Sequence, residues 1–572
     1  MRLLALLLIA ALALPAAEAD ALALSAHIQA RHLPFGTLLD PFYASPSSPE
    51  ITGYTRCGDS AIWTGHYLAA EAFRFRVTRS PDALANASRT LAALTGLVDV
   101  TGNDSLARCR IPLDSPFRPG IEREEAANGV FRNPALNASW IGNTSRDQYL
   151  GVFFGLSLAY EHIPSLQPAI RPLATRLANH LLSDNWAPFL LRPDHILTIL
   201  IIARQIHPER FAPIYAEHRT RLADSVSLPV AFDSLSTSSY FKFNLIYTSF
   251  YSLVRLEDSP AKATYLSAYA IARRYTAGHQ NAFFNLIDHA LTAPDPRRDA
   301  EALELLDLWL KRPRRDFYVD RANEVPVCNN QACEPLPVDR RVPTDFLWQR
   351  NPFQLAGGGA GTIGNAGVDY ILPYWMARYY GLLPSLGVNP TVAPDSLISL
   401  YGPLSAAPRV EIQGRPATLF YTSPTQLNLL VPPETALGPT RIRVLSDGPI
   451  LTAETRVDPV SPSLYTLNAA GLAAATADTG PVFACVPQCQ PVPLPVPAAL
   501  SLYATGLRQG SRTTATVGGL AVPVLYSGPQ PTFPGLDQVN LALPVELRGR
   551  GAVEIQLTVD GVRANPATIT VR

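Results

Sequence analysis

Two aspartates stand at the starts of long helical segments and have the chemistry for acid and base catalysis. Asp59 is followed within one turn by Trp63, and Asp147 follows Arg146, with Trp140 shortly before it. Hydrolysis of a glycosidic bond usually needs two carboxyl groups, one that donates a proton and one that activates water or attacks directly. Asp59 and Asp147 are therefore the catalytic candidates. Helix capping is the competing explanation, because Asp at a helix start satisfies free N–H groups and the helix dipole.

A second set of residues indicates different chemistry. Tyr240, His279 and Asn281 stand at two other helix starts, and Arg146 is expected nearby. Removal of the proton next to a uronate carboxylate needs a Tyr or His base, with Asn and Arg to neutralise the carboxylate. This is the alternative catalytic set. A solvated helix end with one buried, hydrogen-bonded histidine is the competing explanation.

Further aromatic and polar side chains could bind a sugar, since its apolar faces stack on rings and its hydroxyls need donors and acceptors. Core packing is the competing explanation for the tryptophans. We expect the polar-aromatic segment 344–353 and the glycine-rich segment 357–364 to form a loop that covers the site or merely connects helices. The predicted substrate-binding residues are Trp63, His66, Gln148, Asn244, Trp348, Asp369 and Tyr370.

Several function classes lose support from the motifs. Gly359, Gly361 and Gly364 match G-x-G-x-x-G, but no βαβ pattern surrounds them, so a dinucleotide site is not expected. The sequence contains no P-loop, H-E-x-x-H or G-x-S-x-G. No histidine follows His289, and neither short cysteine pair has a second pair beside it, which argues against zinc. We predict no cofactor and no metal.

The candidate residues lie on about a dozen predicted helices in the first two thirds of the chain. Apolar residues recur there at helical spacing, and Pro81, Pro164, Pro208 and Pro260 stand where one helix must stop and the next begin. Short connectors imply antiparallel helix hairpins, and we expect almost no strands between them. The predicted segments are 21–32, 59–79, 82–99, 145–162, 166–183, 190–206, 208–222, 238–257, 260–276, 279–292, 297–312 and 367–382.

This number of paired helices suits an (α/α)6 toroid, in which six inner helices surround an axis and six outer helices surround them. With every second helix inner, the first turns of the inner helices meet at one mouth. The region resembles the six-hairpin glycosidase-like proteins and the toroidal polysaccharide lyases through segments 59–65, 145–151 and 279–285. The resemblance implies a carbohydrate-active protein. A solenoid of helix pairs is the rival fold, but the hairpins show no fixed-period repeat.

The last third of the chain contains an internal repeat. Its short alternating strands, separated by Gly and Pro, predict two small antiparallel Ig-like β-sandwiches. Each copy closes with a strand pair around Asp447-Gly448 or Asp560-Gly561, which is a hairpin signal. The segments that echo each other are 399–402 and 501–504, 420–421 and 525–526, and 426–429 and 538–541.

This region resembles the C-terminal domain family of exported proteins from Solibacter-type acidobacteria. The likeness rests on segments 392–402 and 423–428 and covers nearly all of residues 389–572. It implies export from a bacterial cell and attachment to a surface or glycan, and it implies no reaction. The predicted organisation is a signal peptide at 1–19, a toroid-like helical domain at 20–388, and β-sandwich modules at 389–490 and 491–572.

The N-terminus and the cysteines also indicate export. An apolar run, Leu3–Leu14, precedes Ala17-Glu18-Ala19, an A-x-A cleavage pattern, so the mature chain is expected to begin at Asp20. The run is shorter than the roughly 20 residues that cross a bilayer, and no transmembrane segment is expected after signal removal. Six cysteines in an exported chain are expected to form disulfides. The predicted pairs are Cys57–Cys109, Cys328–Cys333 and Cys485–Cys489.

The length and net charge of the chain limit the number of domains and the classes of partner that we expect. A chain of 572 residues predicts several domains, and 47 basic against 47 acidic side chains give no electrostatic footprint for nucleic acid. The predicted partner is a carbohydrate or a cell-surface glycan, and the predicted location is extracellular, at the cell surface or in the periplasm. In order, we predict a glycoside hydrolase using Asp59 and Asp147, a polysaccharide lyase or epimerase acting on uronates, or a noncatalytic glycan-binding or cell-surface protein.

Overall fold

The computed structural model describes residues 16–189, 192–383, 386–402, 404, 408–446, 451–468, 471–485 and 488–572. The chain divides into two compact units, a helical unit that ends at Leu382 and a β unit that begins at Leu383. Two predicted features lie outside the described residues, namely the apolar run Leu3–Leu14 and the Asp447-Gly448 hairpin.

Fourteen α-helices occupy the described part of the chain, all of them in the helical unit. Their bounds are α1 Ala16–Arg31, α2 Ser60–Thr78, α3 Pro81–Asp99, α4 Arg118–Glu124, α5 Arg146–His162, α6 Gln167–Ser183, α7 Pro193–Ile206, α8 Pro208–Leu222, α9 Ser227–Asp233, α10 Phe241–Leu256, α11 Ala261–Thr276, α12 Ala282–Leu291, α13 Pro296–Leu310 and α14 Val368–Tyr379.

Each helical segment predicted from the sequence is confirmed by one of these helices. Proline stands in the first two positions of α3, α7, α8 and α13, where its missing N–H has no intrahelical partner to lose. Helices α4 and α9 were not predicted, because each has only 7 residues, about two turns, and too few to show a helical period.

Helix α1 begins ahead of its predicted start. The predicted cleavage point after Ala19 therefore lies inside a helix. The Glu18 carboxylate pairs there with the guanidinium of Arg378, a buried side chain of α14 that also donates to the Tyr374 hydroxyl at 3.1 Å. Cleavage after Ala19 would remove Glu18 and leave the Tyr374 contact.

Six of the long helices pack against one another in a closed series. Helix α2 packs on α5, α5 on α7, α7 on α10, α10 on α12, α12 on α14, and α14 on α2. Each other long helix contacts a member of the series: α3 lies against α2, α6 and α8 against α7, α11 against α10, α13 against α12, and α1 against α14. Buried residues occupy nearly every position of α2, α5 and α10, as expected for helices enclosed by others.

Glycines allow the closest approach within this series. A Cβ added at Gly65 of α2 would lie 2.0 Å from the carbonyl oxygen of Gly151 on α5, and one added at Gly155 would lie 2.3 Å from the carbonyl oxygen of Gly65. Any larger residue would force the two backbones apart. The start of α2 is thereby held close to the start of α5, where Asp59 and Asp147 lie.

The helical unit also contains strands, so the expectation of almost none was wrong. They form an antiparallel sheet in the order β2-β1-β9-β6, a second sheet in the order β3-β5-β4, and the hairpin β7-β8. Their bounds are β1 Asp40–Tyr43, β2 Ile51–Thr55, β3 Cys109–Pro112, β4 Val130–Asn133, β5 Ala138–Ile141, β6 Arg315–Asp320, β7 Val327–Cys328, β8 Gln331–Ala332 and β9 Ala356–Gly364.

The glycine-rich segment 357–364, expected to be a loop, is most of strand β9. Gly358 has φ +115°, and a Cβ there would lie 2.2 Å from the carbonyl oxygen of Phe317 on β6. Glycine is thus required by the approach of the neighbouring strand. A run without alternating apolar residues carries no strand signal, which explains the error.

The β unit holds the remaining strands. Those of its first part are β10 Thr391–Val392, β11 Leu397–Tyr401, β12 Arg409–Ile412, β13 Arg415–Pro416, β14 Thr418–Thr422, β15 Gln426–Leu430, β16 Gly438–Leu445 and β17 Leu451–Val457. Those of its second part are β18 Ser463–Leu464, β19 Ala475–Ala477, β20 Phe483–Cys485, β21 Cys489–Pro491, β22 Ala498–Thr505, β23 Thr513–Val517, β24 Leu520–Val522, β25 Val524–Pro529, β26 Asp537–Leu543, β27 Gly551–Val559, β28 Val562–Arg563 and β29 Ala567–Val571.

These strands form two modules, each with two main sheets around its own hydrophobic core. The first β module has sheets β10-β17-β16-β12-β13 and β11-β15-β14 and a core within 386–457. The second β module has sheets β18-β22-β26-β25 and β24-β23-β27-β28, with β29 on β27, and a core within 460–571. Its core begins well ahead of residue 491, the boundary expected from the repeat. Strands β18 and β19 pair with β22 and add residues with no counterpart in the repeated segments.

All three predicted disulfides are confirmed, joining Cys57 to Cys109, Cys328 to Cys333, and Cys485 to Cys489. The Asp560-Gly561 hairpin is also confirmed, with both residues at positive φ between β27 and β28. Among the described helices, none combines the length and the apolar character needed to cross a membrane.

Candidate functional site

The two catalytic candidates come together at adjacent helix starts. Asp59 immediately precedes α2, and Asp147 lies in the first turn of α5. The charge of Asp147 is one of the causes that raise the pKa of Asp59, so the carboxyl groups are close enough to interact. The Asp147 side chain is 23% exposed, which leaves it within reach of solvent. We call this pair and its neighbours the carboxyl site.

Capping does not explain Asp59. Although it occupies the N-cap position of α2, its side chain makes no capping hydrogen bond. True caps occur elsewhere: Asn281 accepts from the N–H groups of Phe283 and Phe284, and Asp295 accepts from two N–H groups at the start of α13. A half-buried carboxyl group that does not cap its helix remains available to interact with a substrate.

Gln148 holds the carboxyl site together. Its Oε1 accepts from the Ile62 N–H at 2.9 Å, and its Nε2 donates to Asp59 Oδ1 at 3.3 Å. The Gln148 side chain is fully buried between α2 and α5. It was predicted to bind substrate, whereas its observed contacts are those of a positioning residue, because they fix Asp59 relative to α5.

Arg108 is a component of the site that the sequence analysis did not identify. Its Nη1 donates to the carbonyl of Gly58, before α2, at 2.7 Å, and its Nε donates to the carbonyl of Asn143, before α5, at 3.1 Å. Its positive charge lowers the pKa of both aspartates. The adjacent Cys109 is joined to Cys57, so the disulfide ties this arginine to the start of α2. A lone arginine in a region read as loop gave no signal for this role.

The surroundings of the two aspartates differ. Burial raises the pKa of Asp59, and the charges of Asp147 and Glu125 raise it further. Burial also raises the pKa of Asp147, but the positive charges of Arg146, Arg108 and Arg192 lower it. Asp59 thus has acidic neighbours that add to the effect of burial, besides the cations Arg108 and Arg56 that oppose it, whereas the charged neighbours of Asp147 are cationic. Different environments of this kind can give two carboxyl groups the roles of acid and base.

The start of α7 lies beside the same site. Arg192 donates from Nε and Nη2 to the two oxygens of Asp194 at 3.1 and 2.7 Å, and Nη2 lies 3.0 Å from His195 Nε2. Asp194 and His195 are fully buried. Arg146 reaches this group as well, because its charge helps to lower the pKa of His195, after burial and Arg192. The sequence analysis had instead placed Arg146 in the alternative catalytic set, near Tyr240 and His279.

An aromatic cluster lies inside the closed helix series. It consists of His66, Trp63 and Trp348, with the Asn244 side chain bonded to it. His66 Nδ1–H donates to the Ile62 carbonyl at 2.9 Å, which leaves Nε2 to accept from Asn244 Nδ2 at 3.2 Å. Burial lowers the pKa of His66 to about 4, so the ring is neutral. Trp348 stacks on Trp63 with ring centres 6.0 Å apart, and His66, Asn244 and Trp348 are fully buried. These predicted sugar-binding side chains contact one another rather than solvent.

Asp369 and Tyr370 are also buried. Asp369 Oδ2 accepts from the Leu347 N–H at 2.8 Å and lies 3.5 Å from Arg312 Nη1. It thus fastens the segment that carries Trp348 to α14. Tyr370 packs on Trp309 and Tyr374 with ring centres 5.1 and 5.8 Å away. Both contacts are those of residues that build the helical unit.

Three members of the alternative set lie together, and the fourth does not. Tyr240 Oη is 3.2 Å from His279 Nδ1, and Asn281 caps α12 just beyond His279. Burial lowers the pKa of His279 to about 4, and the charge of Arg341 lowers it too. Arg341 donates to the His279 carbonyl at 2.9 Å. Arg341, which the sequence analysis overlooked, thus occupies the place expected for Arg146.

A surface cavity of about 520 Å³ lies elsewhere on the helical unit. It is lined by residues 234–238, Tyr275, Asn329, Gln331 and Asn351. None of these was a predicted site residue, and none carries a charge. Within the described residues, no group of three or more His, Cys, Asp or Glu side chains could hold a metal ion.

Comparison with known proteins does not assign the chain to a family. No family model matches it, and no curated protein matches it. Among solved structures, the extracellular region of plexin A4 is 10% identical with a TM-score of 0.14, covering 33% of this chain and 18% of the plexin chain. Titin Ig tandem domains A164-A165 are 10% identical with a TM-score of 0.13, covering 33% of this chain and 96% of the titin chain.

A putative phosphatase from Bacteroides thetaiotaomicron is 12% identical with a TM-score of 0.11, covering 33% of this chain and 49% of that one. TM-scores this low carry no argument about fold or function. The functional conclusion therefore depends on the side chains of the carboxyl site.

Proposed function

We propose that this exported protein hydrolyses glycosidic bonds with Asp59 and Asp147, at one mouth of an (α/α)6 toroid. The closed series α2, α5, α7, α10, α12 and α14 supports six inner helices, and their partners α3, α6, α8, α11, α13 and α1 support six outer ones. The observation that carries the catalytic proposal is that Gln148, which follows Asp147 at the start of α5, donates to Asp59 at the start of α2, so the two carboxyl groups lie at one site. Two coupled, partly exposed carboxyl groups are the minimum equipment of a glycosidase.

The two roles follow from the surroundings of each carboxyl group. Asp59, whose pKa is raised by burial and by the charge of Asp147, donates a proton to the glycosidic oxygen as the bond to the anomeric carbon breaks. Asp147, where the charges of three arginines oppose the effect of burial on the pKa, takes a proton from the attacking water or attacks the anomeric carbon itself. Gln148 keeps Asp59 oriented, and Arg108 supplies positive charge to both carboxylates.

The test is hydrolysis of a panel of neutral and uronate polysaccharides, followed as new reducing ends and as absorbance of unsaturated products. We expect reducing ends without absorbance, and loss of at least about a hundredfold in rate for Asp147→Asn. Asp295→Asn is the matched control, because Asn caps a helix as well as Asp and Asp295 already acts as a cap. Full activity in Asp147→Asn would exclude the proposed mechanism.

The Tyr240–His279 pair favours a second candidate function, elimination on a uronate polysaccharide. A neutral His279 within hydrogen-bonding distance of Tyr240 could act with it as a base, and Arg341 could neutralise the substrate carboxylate. Both rings are nearly buried, at 2% and 7% exposure, so the site would have to open. Absorbance from unsaturated products that survives Asp147→Asn and disappears in Tyr240→Phe would identify this chemistry.

Export is the proposed location. Three disulfides support it, because such bonds persist in oxidising compartments. N-terminal sequencing of the protein recovered from medium or periplasm should give Asp20 as the first residue. A mature protein that retains Glu18 would place the cleavage point upstream and keep the ion pair with Arg378.

A further inference from the structure

The two β modules carry the same solvent-facing side chains on equivalent sheets. In the first module the three-stranded sheet β11-β15-β14 presents them, and in the second the strands β22-β26-β25 do so. We call these the module faces. The face of the first module consists of Ser399, Tyr401, Tyr421, Gln426 and Asn428, and that of the second of Ser501, Tyr503, Tyr526, Gln538 and Asn540.

Strand register brings each set together on one face. In the first module Asn428 pairs with Tyr421 on one side and Ser399 on the other, while Gln426 pairs with Tyr401. Alternate residues of a strand share a face. The row of Tyr421, Asn428 and Ser399 therefore lies on the same side of the sheet as the pair of Gln426 and Tyr401. The residues between them, such as Leu427 and Leu429, point into the core and are fully buried.

The second module repeats this arrangement in detail. Asn540 pairs with Tyr526 and Ser501, and Gln538 pairs with Tyr503. Gln538 Nε2 donates to Asn540 Oδ1 at 2.7 Å, as Gln426 Nε2 donates to Asn428 Oδ1 at 2.8 Å in the first module.

Both edge strands also bulge at the same point. The register shifts between Leu419 and Tyr421 on β14, and between Val524 and Tyr526 on β25. The exposed fractions are 44% for Tyr421 and 42% for Tyr526, and the bulged Phe420 beside Tyr421 is 52% exposed. Bulges commonly redirect side chains where a sheet has a function.

Outward residues on the opposite sheet of each module differ between the two copies. The folding of the sheets therefore does not by itself require the residues of the two module faces to be the same. When the sequences of the two copies are aligned at Asp447-Gly448 and Asp560-Gly561, Arg441 of β16 corresponds to Glu554 of β27. In the same alignment Arg443 corresponds to Gln556. These outward positions differ in type and, in the first pair, in the sign of the charge. Outward positions are therefore free to diverge between the copies, whereas the five residues of each module face are the same.

We propose that each module face binds a neutral polysaccharide, and that the two faces act in tandem on one chain or surface. Tyrosine rings offer apolar planes for sugar rings, and Gln, Asn and Ser offer donors and acceptors for hydroxyls. Strands β11, β14 and β15 carry no charged residue, so an acidic or basic ligand would find no partner there. The inference concerns binding by the β unit and does not depend on the carboxyl site.

The experiment is affinity electrophoresis of the full chain in gels that contain soluble β-glucan, xyloglucan or galactomannan, with alginate as the charged comparison. We expect retardation by at least one neutral polysaccharide. The double variant Tyr421→Ala/Tyr526→Ala should weaken binding at least about tenfold more than either single variant, because two linked sites bind with avidity. Tyr421→Phe/Tyr526→Phe keeps the rings and should retain binding.

The matched control is Arg443→Ala/Gln556→Ala, which alters the opposite sheets and should bind as the unaltered protein does. No retardation in any neutral gel, or equal retardation of the double alanine variant, would overturn the proposal. A dimer in sedimentation that the alanine substitutions dissociate would overturn it too, since the faces would then bind a second copy. Asp147→Asn should lose hydrolysis and keep retardation, which separates this proposal from the catalytic one.

Discussion

At Asp59, burial and the charges of Asp147 and Glu125 all favour the neutral carboxyl group. A group whose pKa is higher in the folded than in the unfolded protein stabilises the fold below its unfolded value and loses that contribution as pH rises through the folded value. Ionisation of Asp59 at neutral pH therefore lowers the stability of the fold, as is common for catalytic groups.

Asp59→Asn should accordingly stabilise the protein at pH 7 while abolishing hydrolysis. The expected gain is about 1 kcal/mol in the free energy of unfolding, a usual size for one favourable substitution. Because the unfolded pKa is near 3.8, the gain should vanish below about pH 4. Denaturant unfolding at a series of pH values measures it, and a variant less stable than the unaltered protein at pH 7 would contradict this account.

The charge of Arg108 lowers the pKa of both aspartates, so its removal should change the pH dependence of hydrolysis. Arg108→Gln removes a cation that lowers the pKa of Asp147. The acidic limb of kcat/KM should therefore move to higher pH, since the base must be deprotonated in the free enzyme. Arg110→Gln is the control, because Arg110 is half-buried like Arg108 but donates to the Leu136 carbonyl, away from the carboxyl site. Identical profiles for the two variants would exclude an electrostatic role for Arg108.

At the scale of elements, the packing of α2 on α5 determines where the carboxyl site lies. The helices approach through Gly65 and Gly151, and Gln148 bridges their starts. Gly65→Ala should destabilise the fold by about 3 kcal/mol, because the added Cβ overlaps the Gly151 carbonyl and the helices must separate.

Thermal unfolding measures this loss, and Gly120→Ala is the matched control. Gly120 lies in α4 with no atom within 4 Å of an added Cβ, so alanine should be neutral or slightly stabilising there. Equal stability of the two variants would mean that α2 and α5 can move apart at little cost.

For the whole molecule, the disulfides should differ in their contributions because they close loops of different length. Cys57–Cys109 spans 52 residues in the helical unit, and Cys485–Cys489 spans 4 in the β unit. The entropy of loop closure predicts about 4 kcal/mol for the first and about 2 kcal/mol for the second. Serine substitution of each pair tests the order, with denaturant unfolding followed by a helix circular dichroism signal for the helical unit and by a β-sheet signal for the β unit. A larger effect from the short loop would contradict it.

Cys57–Cys109 also holds Arg108 at the carboxyl site, so its loss should reduce hydrolysis as well as stability. The repeated modules add a second scale of organisation, in which the same five residues recur on one face of each module.

Local features of this protein could be predicted from its amino-acid sequence alone. Helical periodicity and proline positions located the long helices, such as α2 and α5, because the signal lies within each segment. The order of the cysteines along the chain indicated three neighbouring pairs as disulfide partners, and the Gln-x-Asn echo revealed the repeated modules. The candidate pair Asp59 and Asp147 also followed from local pattern, since each stands at a helix start.

The environments of these residues depend on contacts that the chain makes only when it is folded. Arg108 reaches Asp59 and Asp147 from a segment distant in sequence, and Trp348 is buried because its segment folds back onto Trp63. Strand β9 exists because β6 lies beside it, although its glycines have no strand pattern of their own. Burial, pKa and strand pairing arise from contacts between segments, and a pattern within one segment carries no information about them.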